Sequence, residues 1–327
     1  MRLSEKQKKI LGRALLTAGE SLNEIAQQTN YREHSIRYVL KQLGDAEIIK
    51  PSAYINVYPL GYSYHGLWFN FGTNSAQEKD RLLDYLLESE RVAYVRENGG
   101  AFTHTVGICA RNLEELTEFL DELGRMFGSF IKEKFISRMC SMTDFSLKFF
   151  TPDSQNIQQL HMGIGREKVK IDELDHRILS CLSSCGSPSS TAIARELGVP
   201  ASTIAYRLNH LKEQDIWMGT RFLVDFAKIG LQTYIHLVYV RGIVPDLQDR
   251  LLQFARNHPY IYYIVKSLGD FEFELGSAME HSQEAASITQ QLQESFGAVV
   301  ERVVTFPCFS TPKISYYPFK QNSWVIV

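Results

Sequence analysis

The chain of 327 residues contains few cysteines, almost no net charge and no long apolar segment. Its five cysteines are odd in number and scattered, which fits reduced thiols better than a set of disulfides. Cys181 and Cys185 are close in sequence, but no second pair at ligand spacing accompanies them, so we predict no metal site. No segment approaches the roughly 20 apolar residues of a membrane span, and the first residues lack a signal peptide's apolar stretch. We therefore expect a soluble, cytoplasmic protein without a membrane partner.

The net charge of −2 excludes a uniformly basic protein that coats nucleic acid, although it leaves room for a local basic patch. The sequence also lacks a glycine-rich phosphate loop, a G-x-S-x-G motif and a histidine pair at metal spacing. We therefore predict neither an enzyme of those classes nor a bound cofactor. Apolar residues make up 44% of the chain, which is enough for buried cores, and the length predicts two or more domains.

The second half of the chain repeats the first at an offset of 168 residues, which becomes 169 after one inserted residue. Ile10 thus matches Ile178, and Tyr38 matches Tyr206. A repeat this long indicates two complete globular units, unlike the short repeats of a solenoid. We predict a linker between them at residues 151–170, because that segment is polar and contains proline and glycine.

Each unit begins with three amphipathic helical segments and continues with alternating strands and helices. In the second unit STAIAREL and ASTIAYRLNHLKEQ are helical in pattern, whereas TYIHLVYV, YYIVKSL and VVERVVTF are β-rich. The later segments follow the order βαββαβ, which predicts a ferredoxin-like antiparallel sheet with helices on one face. The other face of such a sheet needs a partner.

The second and third helical segments of each unit predict a helix-turn-helix. The turn between such helices needs a left-handed backbone, which glycine tolerates best and asparagine next; Gly198 and Asn30 stand at that point. One face of the third helix is apolar and predicted to pack inward. The inward residues are Ile204, Leu208 and Leu211 in the second unit and Ile36, Leu40 and Leu43 in the first.

The opposite face of each third helix carries the donors and acceptors that contact base edges and phosphates. We predict DNA contacts for Arg32, His34, Ser35, Arg37, Tyr38, Lys41 and Gln42 in the first unit, and for Ser202, Thr203, Tyr206, Arg207, Asn209 and His210 in the second. Ser202 is also placed to cap its helix. The alternative is an ordinary solvated polar face, but the turn residues, the three-helix context and the duplication favour DNA binding.

The residues IDELDHRIL, IARELGVPASTIAYRLNHL, VDFAKIG and KSLGDFEFELGS resemble the Lrp/AsnC (feast/famine, leucine-responsive) family of transcriptional regulators. The likeness is looser in the first half, where IAQQTNY replaces IARELGV and GGAFTHT replaces LGDFEFE. The resemblance implies an α+β fold with two winged helix-turn-helix domains, residues 1–57 and 171–226. It also implies two ferredoxin-like effector domains, residues 58–150 and 227–327, arranged as an intrachain pseudo-dimer.

This resemblance implies a regulator, not an enzyme, whose partners are double-stranded DNA and a small-molecule effector such as an amino acid. It further implies a homo-oligomer that assembles through the ferredoxin-like domains. Because Arg207 matches Val39 and His210 matches Gln42 across the repeat, we expect the two helices to recognise different sequences in an asymmetric operator. Val39 and the divergent turn raise the alternative that the first unit has lost DNA binding.

The family's effector site lies near a Gly-Asp strand, which implies Gly269, Asp270 and Phe271 here, and Gly100, Ala101 and His104 are the candidates in the first repeat. A carboxylate at position 270 suits a ligand amino group, whereas Ala101 has no such group. Strand alternation predicts that Phe271, Phe273 and Leu275 share one face, with His104 at the place of Phe273. His104 is then either a satisfied core histidine or a ligand contact.

A rival interpretation is that the chain resembles the sirohaem decarboxylases, which have a similar two-domain architecture. These enzymes use His and Arg side chains to act on a tetrapyrrole. Of the His and Arg residues in the decarboxylases' strand motif, only Arg96 and His104 have approximate counterparts in this sequence. Since a fold hosts several functions, the site must decide between enzyme and regulator.

Overall fold

The computed structural model of the protein describes residues 2–16, 22–72, 75–152, 157–165, 168–186 and 188–319. The first repeat contains α1 (Glu5–Ala14), α2 (Leu22–Thr29), α3 (Glu33–Asp45), β1 (Ile49–Ile55), β2 (Ser63–Phe71), α4 (Ala76–Glu88), β3 (Val92–Asn98), β4 (His104–Ala110), α5 (Leu113–Phe127) and β5 (Ile131–Phe145). The strand β6 (Gln159–Gly163) follows. The second repeat contains α6 (Glu173–Cys185), α7 (Ser190–Leu197), α8 (Ala201–Glu213), β7 (Trp217–Val224), β8 (Gln232–Val240), α9 (Leu247–Asn257), β9 (Ile261–Leu268), β10 (Phe273–Met279), α10 (Ser282–Phe296) and β11 (Val300–Ile314).

This order confirms the α+β fold class with a βαββαβ unit in each half. Within each unit the strands are antiparallel, in the order β5-β2-β4-β3 in the first repeat and β11-β8-β10-β9 in the second. No helix in the described ranges is long and apolar enough to cross a membrane.

The two sheets are joined edge to edge into a closed ring of eight strands. The long strand β5 pairs with β2 of its own repeat and then, through Arg138 to Asp144, with β9 of the other. Strand β11 does the same with β8 and β3. A ring of this kind leaves no unpaired edge among its eight strands, because every edge strand of one repeat meets a long strand of the other.

The ring separates two apolar environments. Because strand side chains alternate, Tyr234 and Val238 of β8 pack with α9 and α10, whereas Ile235 and Leu237 point inward. The inward residues meet an aromatic cluster to which both repeats contribute. Its rings belong to Trp68, Phe102, Phe135, Phe271 and Phe306. The partner that each predicted sheet face needed is therefore the other half of the chain.

Two equivalent tyrosines fill the interior above glycines of the neighbouring strand. A Cβ atom on Gly107 would lie 2.1 Å from the ring of Tyr94, and one on Gly276 would lie 1.8 Å from the ring of Tyr263. Both distances are far below a real contact between carbon atoms, so no larger residue fits. Both repeats thus have the same contact between a tyrosine ring and a glycine of the neighbouring strand.

The segment predicted as a linker has structure of its own. Within residues 151–170, β6 pairs with the C-terminal part of β5, from Ser141 to Phe145. Residues 153–156 and 166–167 of that segment, and residues 320–327 of the last predicted domain, lie outside the described residues. A domain boundary drawn at the linker remains a prediction, but part of the segment is strand.

A buried ion pair joins the repeats inside the ring. Arg96 of β3 and Glu274 of β10 lie 2.5 Å apart, with 14% and 5% of their side chains exposed. Tyr263 also donates its hydroxyl hydrogen to Glu274 at 2.5 Å. The equivalent positions across the repeat are Val265 and Thr105, so the pair occurs on one side of the pseudo-twofold axis.

We expect Glu274→Gln to lower the free energy of unfolding by about 3–5 kcal/mol, because it leaves the Arg96 guanidinium buried without a counter-charge. The double variant Arg96→Val with Glu274→Thr, which installs the residues of the equivalent positions, should lose less than the single variant. Urea unfolding followed by circular dichroism measures both. A double variant that loses as much stability as Glu274→Gln, or more, would contradict the coupling.

Candidate nucleic-acid interface

The two helix-turn-helix units are connected by a two-stranded ribbon made of β1 and β7. The strands are antiparallel, and Ser52 pairs with Arg221. Arg221 is also the residue that matches Ser52 in the sequence repeat, at the offset of 169. An antiparallel pair in which equivalent residues face each other has a local twofold axis at that point. The units that precede the two strands are therefore related by the same axis.

The turns of both helix-turn-helix units have the backbone predicted for them. Gly198 ends α7 with a φ of 68°, and Asn30, which follows α2, has a φ of 59°. Both values lie in the left-handed region. A glycine and an asparagine thus supply the same bend, which directs the third helix of each unit away from the second.

The inward residues of the third helices are confirmed. Ile204, Leu208 and Leu211 of α8 are buried, as are Ile36 and Leu43 of α3, whereas Leu40 is half-buried. These residues join one core cluster that also includes ribbon residues such as Tyr54. The face of each helix opposite to this core is consequently held toward solvent.

The predicted DNA-contacting residues fall mostly on these solvent faces. The exposed ones are Arg32, His34, Arg37, Tyr38, Lys41, Gln42, Ser202, Tyr206 and Asn209, and the half-buried ones are Ser35, Thr203, Arg207 and His210. Tyr38 and Tyr206 occupy equivalent positions and are 67% and 68% exposed. The repeat therefore places the same exposed aromatic side chain on both third helices.

Arg207 is directed elsewhere. Its guanidinium lies 2.7 Å from Asp172 and 3.1 Å from Asp175, the two residues that form the capping box of α6. In the first repeat Gln7 of the α1 capping box donates to Gln42 of α3 at 3.1 Å. In both units the first helix thus holds the third, and Arg207 and Gln42 have a positioning contact that the outward pattern did not predict.

One further prediction about these helices is wrong. Ser202 does not cap α8, because the helix begins one residue earlier and its N-cap is Pro200. Val39 is buried, with 4% of its surface exposed, so position 39 belongs to the core side of α3. The exchange of Arg207 for Val39 therefore changes a contact within each unit and says nothing about loss of DNA binding by the first one.

The solvent face of α3 carries more positive charge than that of α8. Helix α3 presents Arg32, Arg37 and Lys41, the last paired with Asp45 one turn away at 2.5 Å where both are exposed. Such an exposed pair contributes little and opens readily for a phosphate. Helix α8 presents mainly neutral donors and acceptors beside Tyr206.

A buried polar cluster anchors the ribbon to the ring. Arg221 of β7 lies 2.6 Å from Asp144 at the end of β5, and Tyr54 of β1 donates to the same carboxylate at 2.8 Å. Arg221 also donates to the hydroxyl of Tyr316 at 2.8 Å, and burial raises the pKa of Tyr54 well above its ordinary value. Sequence reasoning missed this cluster, since these four residues show no shared spacing.

The hairpin predicted to hold an effector is only partly open. Gly269 and Asp270 are exposed, and Gly269 has a φ of 148°, with a Cβ atom there lying 3.0 Å from the carbonyl oxygen of Ile136. Phe271 is fully buried in the aromatic cluster inside the ring. The prediction that Phe271 shares a face with Phe273 is wrong, because Phe271 precedes β10 and turns inward.

The equivalent hairpin of the first repeat is held by its neighbours. Gly100 has a φ of 81° and packs on Phe306, and Asn70 donates to the carbonyl oxygen of Ala101 at 2.9 Å. No charged group stands in the place of Asp270. The residues Gly269, Asp270, Gly100 and Ala101 therefore lie on two separate hairpins with unlike chemistry.

His104 is a core residue, but one of its ring nitrogens has no partner. It is 6% exposed, and its ring lies 5.6 Å from that of Phe69 and 4.7 Å from that of Phe71. Its Nδ1 atom is buried without a hydrogen-bond partner among the described residues, and burial lowers its pKa. Of the two alternatives, the structure shows the core location, but the imidazole is not fully hydrogen-bonded.

Within the described ranges no group of three or more His, Cys, Asp or Glu side chains is arranged to hold a metal ion. Cys109, Cys140 and Cys181 are buried, and the side chain of Cys185 lies outside the described part of the chain.

A family model described as winged helix-turn-helix DNA-binding matches residues 171–216, which contain α6, α7 and α8. No curated protein matches the chain. The structure of the siroheme decarboxylase NirDL is 11% identical and aligns with 96% of this chain and 94% of its own, with a TM-score of 0.60. Its complex with an iron-uroporphyrin III analogue aligns at a TM-score of 0.58, with 13% identity and 97% and 94% coverage.

Among the similar single-unit structures is B. subtilis LrpC, 19% identical over 43% of this chain and 96% of its own, with a TM-score of 0.37. The match along nearly the whole length of NirDL shows a common fold with two fused units, and at 11% identity it shows the fold alone. The winged helix-turn-helix that the sequence predicted in the second repeat is confirmed.

We expect Gly198→Ala to lower the free energy of unfolding by about 1–2 kcal/mol, because a Cβ atom is strained at a φ of 68° even where no neighbour is close. Gly124→Ala, in an exposed turn of α5, is the control and should raise it by about 0.5–1 kcal/mol. Chemical unfolding measures both, and equal effects of the two changes would contradict the left-handed turn.

We expect His104→Phe, which installs the residue of the equivalent position 273, to stabilise the protein. The pKa of His104 is held below its ordinary value of 6.5, so protonation favours the unfolded chain as the pH falls below 6.5. The gain should therefore be larger at pH 5 than at pH 8, measured by urea unfolding at both. A loss of stability at pH 8 would show that the imidazole has a role that phenylalanine does not replace.

Proposed function

We propose that the protein is a sequence-specific, DNA-binding transcriptional regulator that carries two different recognition helices, α3 and α8, on one chain. The observation that carries this proposal is the pair of exposed tyrosines, Tyr38 and Tyr206, at equivalent positions on either side of the ribbon's local twofold axis. Helix-turn-helix proteins related by such an axis contact two half-sites one helical turn apart, about 34–36 Å.

The two helices divide the work of binding. Helix α3 uses Arg37 and Lys41 mainly on phosphates, which gives affinity that depends on salt. Helix α8 uses Tyr206 and Asn209 on base edges, which gives specificity, since amide and hydroxyl groups distinguish the hydrogen-bonding patterns of the major groove. An asymmetric operator with two unlike half-sites follows from this division.

Control by a small molecule is the second part of the proposal. The exposed carboxylate of Asp270 beside Gly269 suits the amino group of a ligand, as the resemblance to the Lrp/AsnC family implies. Assembly of several chains through the ferredoxin-like domains remains a prediction of the same resemblance.

The ring interior argues against the decarboxylase alternative. A tetrapyrrole needs a large cavity with free cationic groups for its carboxylates. The described interior is instead filled by Trp68, Phe271 and Phe306, and the guanidinium of Arg96 is already paired with Glu274. The fold shared with a decarboxylase therefore does not bring the chemistry with it.

Selection of bound duplexes from a random pool tests the proposal. We expect two half-sites of different sequence, one helical turn apart, and binding that weakens steeply as salt is raised. Tyr206→Ala with Asn209→Ala should relax the sequence preference in one half-site only. Arg37→Ala should weaken binding to all sequences and reduce the slope of log affinity against log salt by about one.

Gln290→Ala, on the exposed outer surface of α10, is the control and should leave both properties unchanged. A perfectly palindromic consensus would contradict the asymmetric operator. The absence of salt-dependent DNA binding, together with a haem-like absorption band on titration with a sirohaem-type compound, would favour the enzyme instead.

A further inference from the structure

A groove of about 680 Å³ runs between α9 and α10 on the outside of the second repeat, and neither the third helices nor the Gly269 hairpin contributes to its lining. The helices run in opposite directions along it. Arg250 lies near one end, with its guanidinium 5.2 Å from the ring centre of Phe296, and Glu284 lies near the other, beside Tyr260. The groove is large enough for a small organic molecule.

Several side chains that can donate hydrogen bonds line the groove. Arg250, Gln253, Asn257 and Gln291 contribute a guanidinium and three amides. His258 accepts a hydrogen bond from the backbone N–H of Tyr260 at its Nδ1 atom, and burial lowers its pKa to about 4. It is therefore neutral at pH 7, with the proton on Nε2, and acts as a further donor.

The same surface of the first repeat is acidic. At the offset of 169, Gln253 replaces Asp84, Asn257 replaces Glu88, Ser287 replaces Glu118, and Gln291 replaces Glu122. Four positions with a carboxylate in the first repeat thus carry neutral polar groups in the second, while the arginine at positions 81 and 250 is the same. The carboxylate at positions 115 and 284 is also retained, whereas Arg91 is replaced by Tyr260.

The first-repeat surface is also bridged by its own side chains. Arg91 donates to the carbonyl oxygen of Glu115 at 3.1 Å and lies 3.8 Å from the carboxylate of Glu118. Tyr85 forms a hydrogen bond with Glu122. In the second repeat the residues at the Tyr85 and Glu122 positions are Phe254 and Gln291, and Gln291 donates to Ser287 on its own helix. The groove between the helices consequently stays open.

We infer that the groove of the second repeat is a binding site for a small organic monocarboxylate. The carboxylate is held by Arg250, the body of the molecule by the amides of Gln253, Asn257 and Gln291, and an apolar portion packs on Phe254. A charged guanidinium with neighbouring neutral donors is the combination that holds a carboxylate, and the carboxylates that would repel it are those that the second repeat lacks. Glu284 stands at the far end and limits the site to one acidic group.

Binding itself does not depend on the proposed function, but a regulatory effect of the ligand on DNA affinity would rest on it. The site is separate from the hairpin of Asp270, where the resemblance implies an effector. A regulator with both would respond to two molecules.

Calorimetric titration of the full chain with hexanoate and 3-phenylpropionate, and with the primary amide of each, tests the site. We expect each carboxylate to bind. The corresponding amide should bind more weakly by a factor of about ten or more, because the charge-assisted hydrogen bonds to Arg250 are lost. Arg250→Gln should weaken carboxylate binding by about tenfold or more. The matched change in the first repeat, Arg81→Gln, should leave it unchanged.

A second variant restores the acidic surface: Gln253→Asp, Asn257→Glu and Gln291→Glu together should abolish binding by repulsion. All substituted positions are exposed or half-buried, and circular dichroism confirms folding. Failure of every carboxylate to bind, or binding that survives both variants, would overturn the inference.

DNA affinity measured on the same proteins without ligand distinguishes failure of the carboxylate site from failure of the proposed function. Carboxylate binding by a protein that does not bind DNA would leave the site standing and remove the proposed function. Normal DNA binding without carboxylate binding would do the opposite. Loss of carboxylate binding in Asp270→Asn but not in Arg250→Gln would assign the ligand to the hairpin and also overturn the inference.

Discussion

Backbone hydrogen bonds between the long strands and the opposite repeat are the constraint on which the rest of the structure depends. Each of β5 and β11 begins as the fourth strand of its own sheet and ends as the neighbour of an edge strand in the other. A ladder of this kind fixes register to a single residue, since a slip by one would turn every buried side chain to the wrong face. The interior aromatic cluster and the Arg96–Glu274 pair can form only in that register.

The ring also determines where the recognition helices lie. Asp144 is near the end of β5, and it holds Arg221 of β7 and Tyr54 of β1 through the same carboxylate. The ribbon that relates the two helix-turn-helix units is therefore anchored to a strand that belongs to the ring. Because this cluster is buried, removal of one partner would leave an uncompensated charge, so the anchor resists small displacements. The ring and the two helix-turn-helix units are therefore physically connected through this cluster.

Sequence reasoning recovered the features that depend on period and on local backbone: the repeat, the βαββαβ order, the left-handed turns at Asn30 and Gly198, and the inward apolar residues of α8. It failed where contacts between distant residues decide. Arg207 looked outward by helical position, yet the carboxylates of Asp172 and Asp175 draw it toward α6. Phe271 seemed to continue the alternation of β10, but the strand begins only at Phe273, so alternation did not apply. The closure of the ring could not be predicted from the sequence of either repeat alone, because it depends on strand pairing between the repeats.

The ion pair between Arg96 and Glu274 has no copy on the other side of the axis, where Val265 and Thr105 stand. In a dimer of identical subunits a mutation in the gene alters both subunits at once, so a single unsymmetrical contact of this kind cannot arise at the interface. Fusion of the two units removes that restriction. Each half has since been able to mutate alone, and the amide-lined groove and the mainly neutral outer face of α8 are found in the second half only.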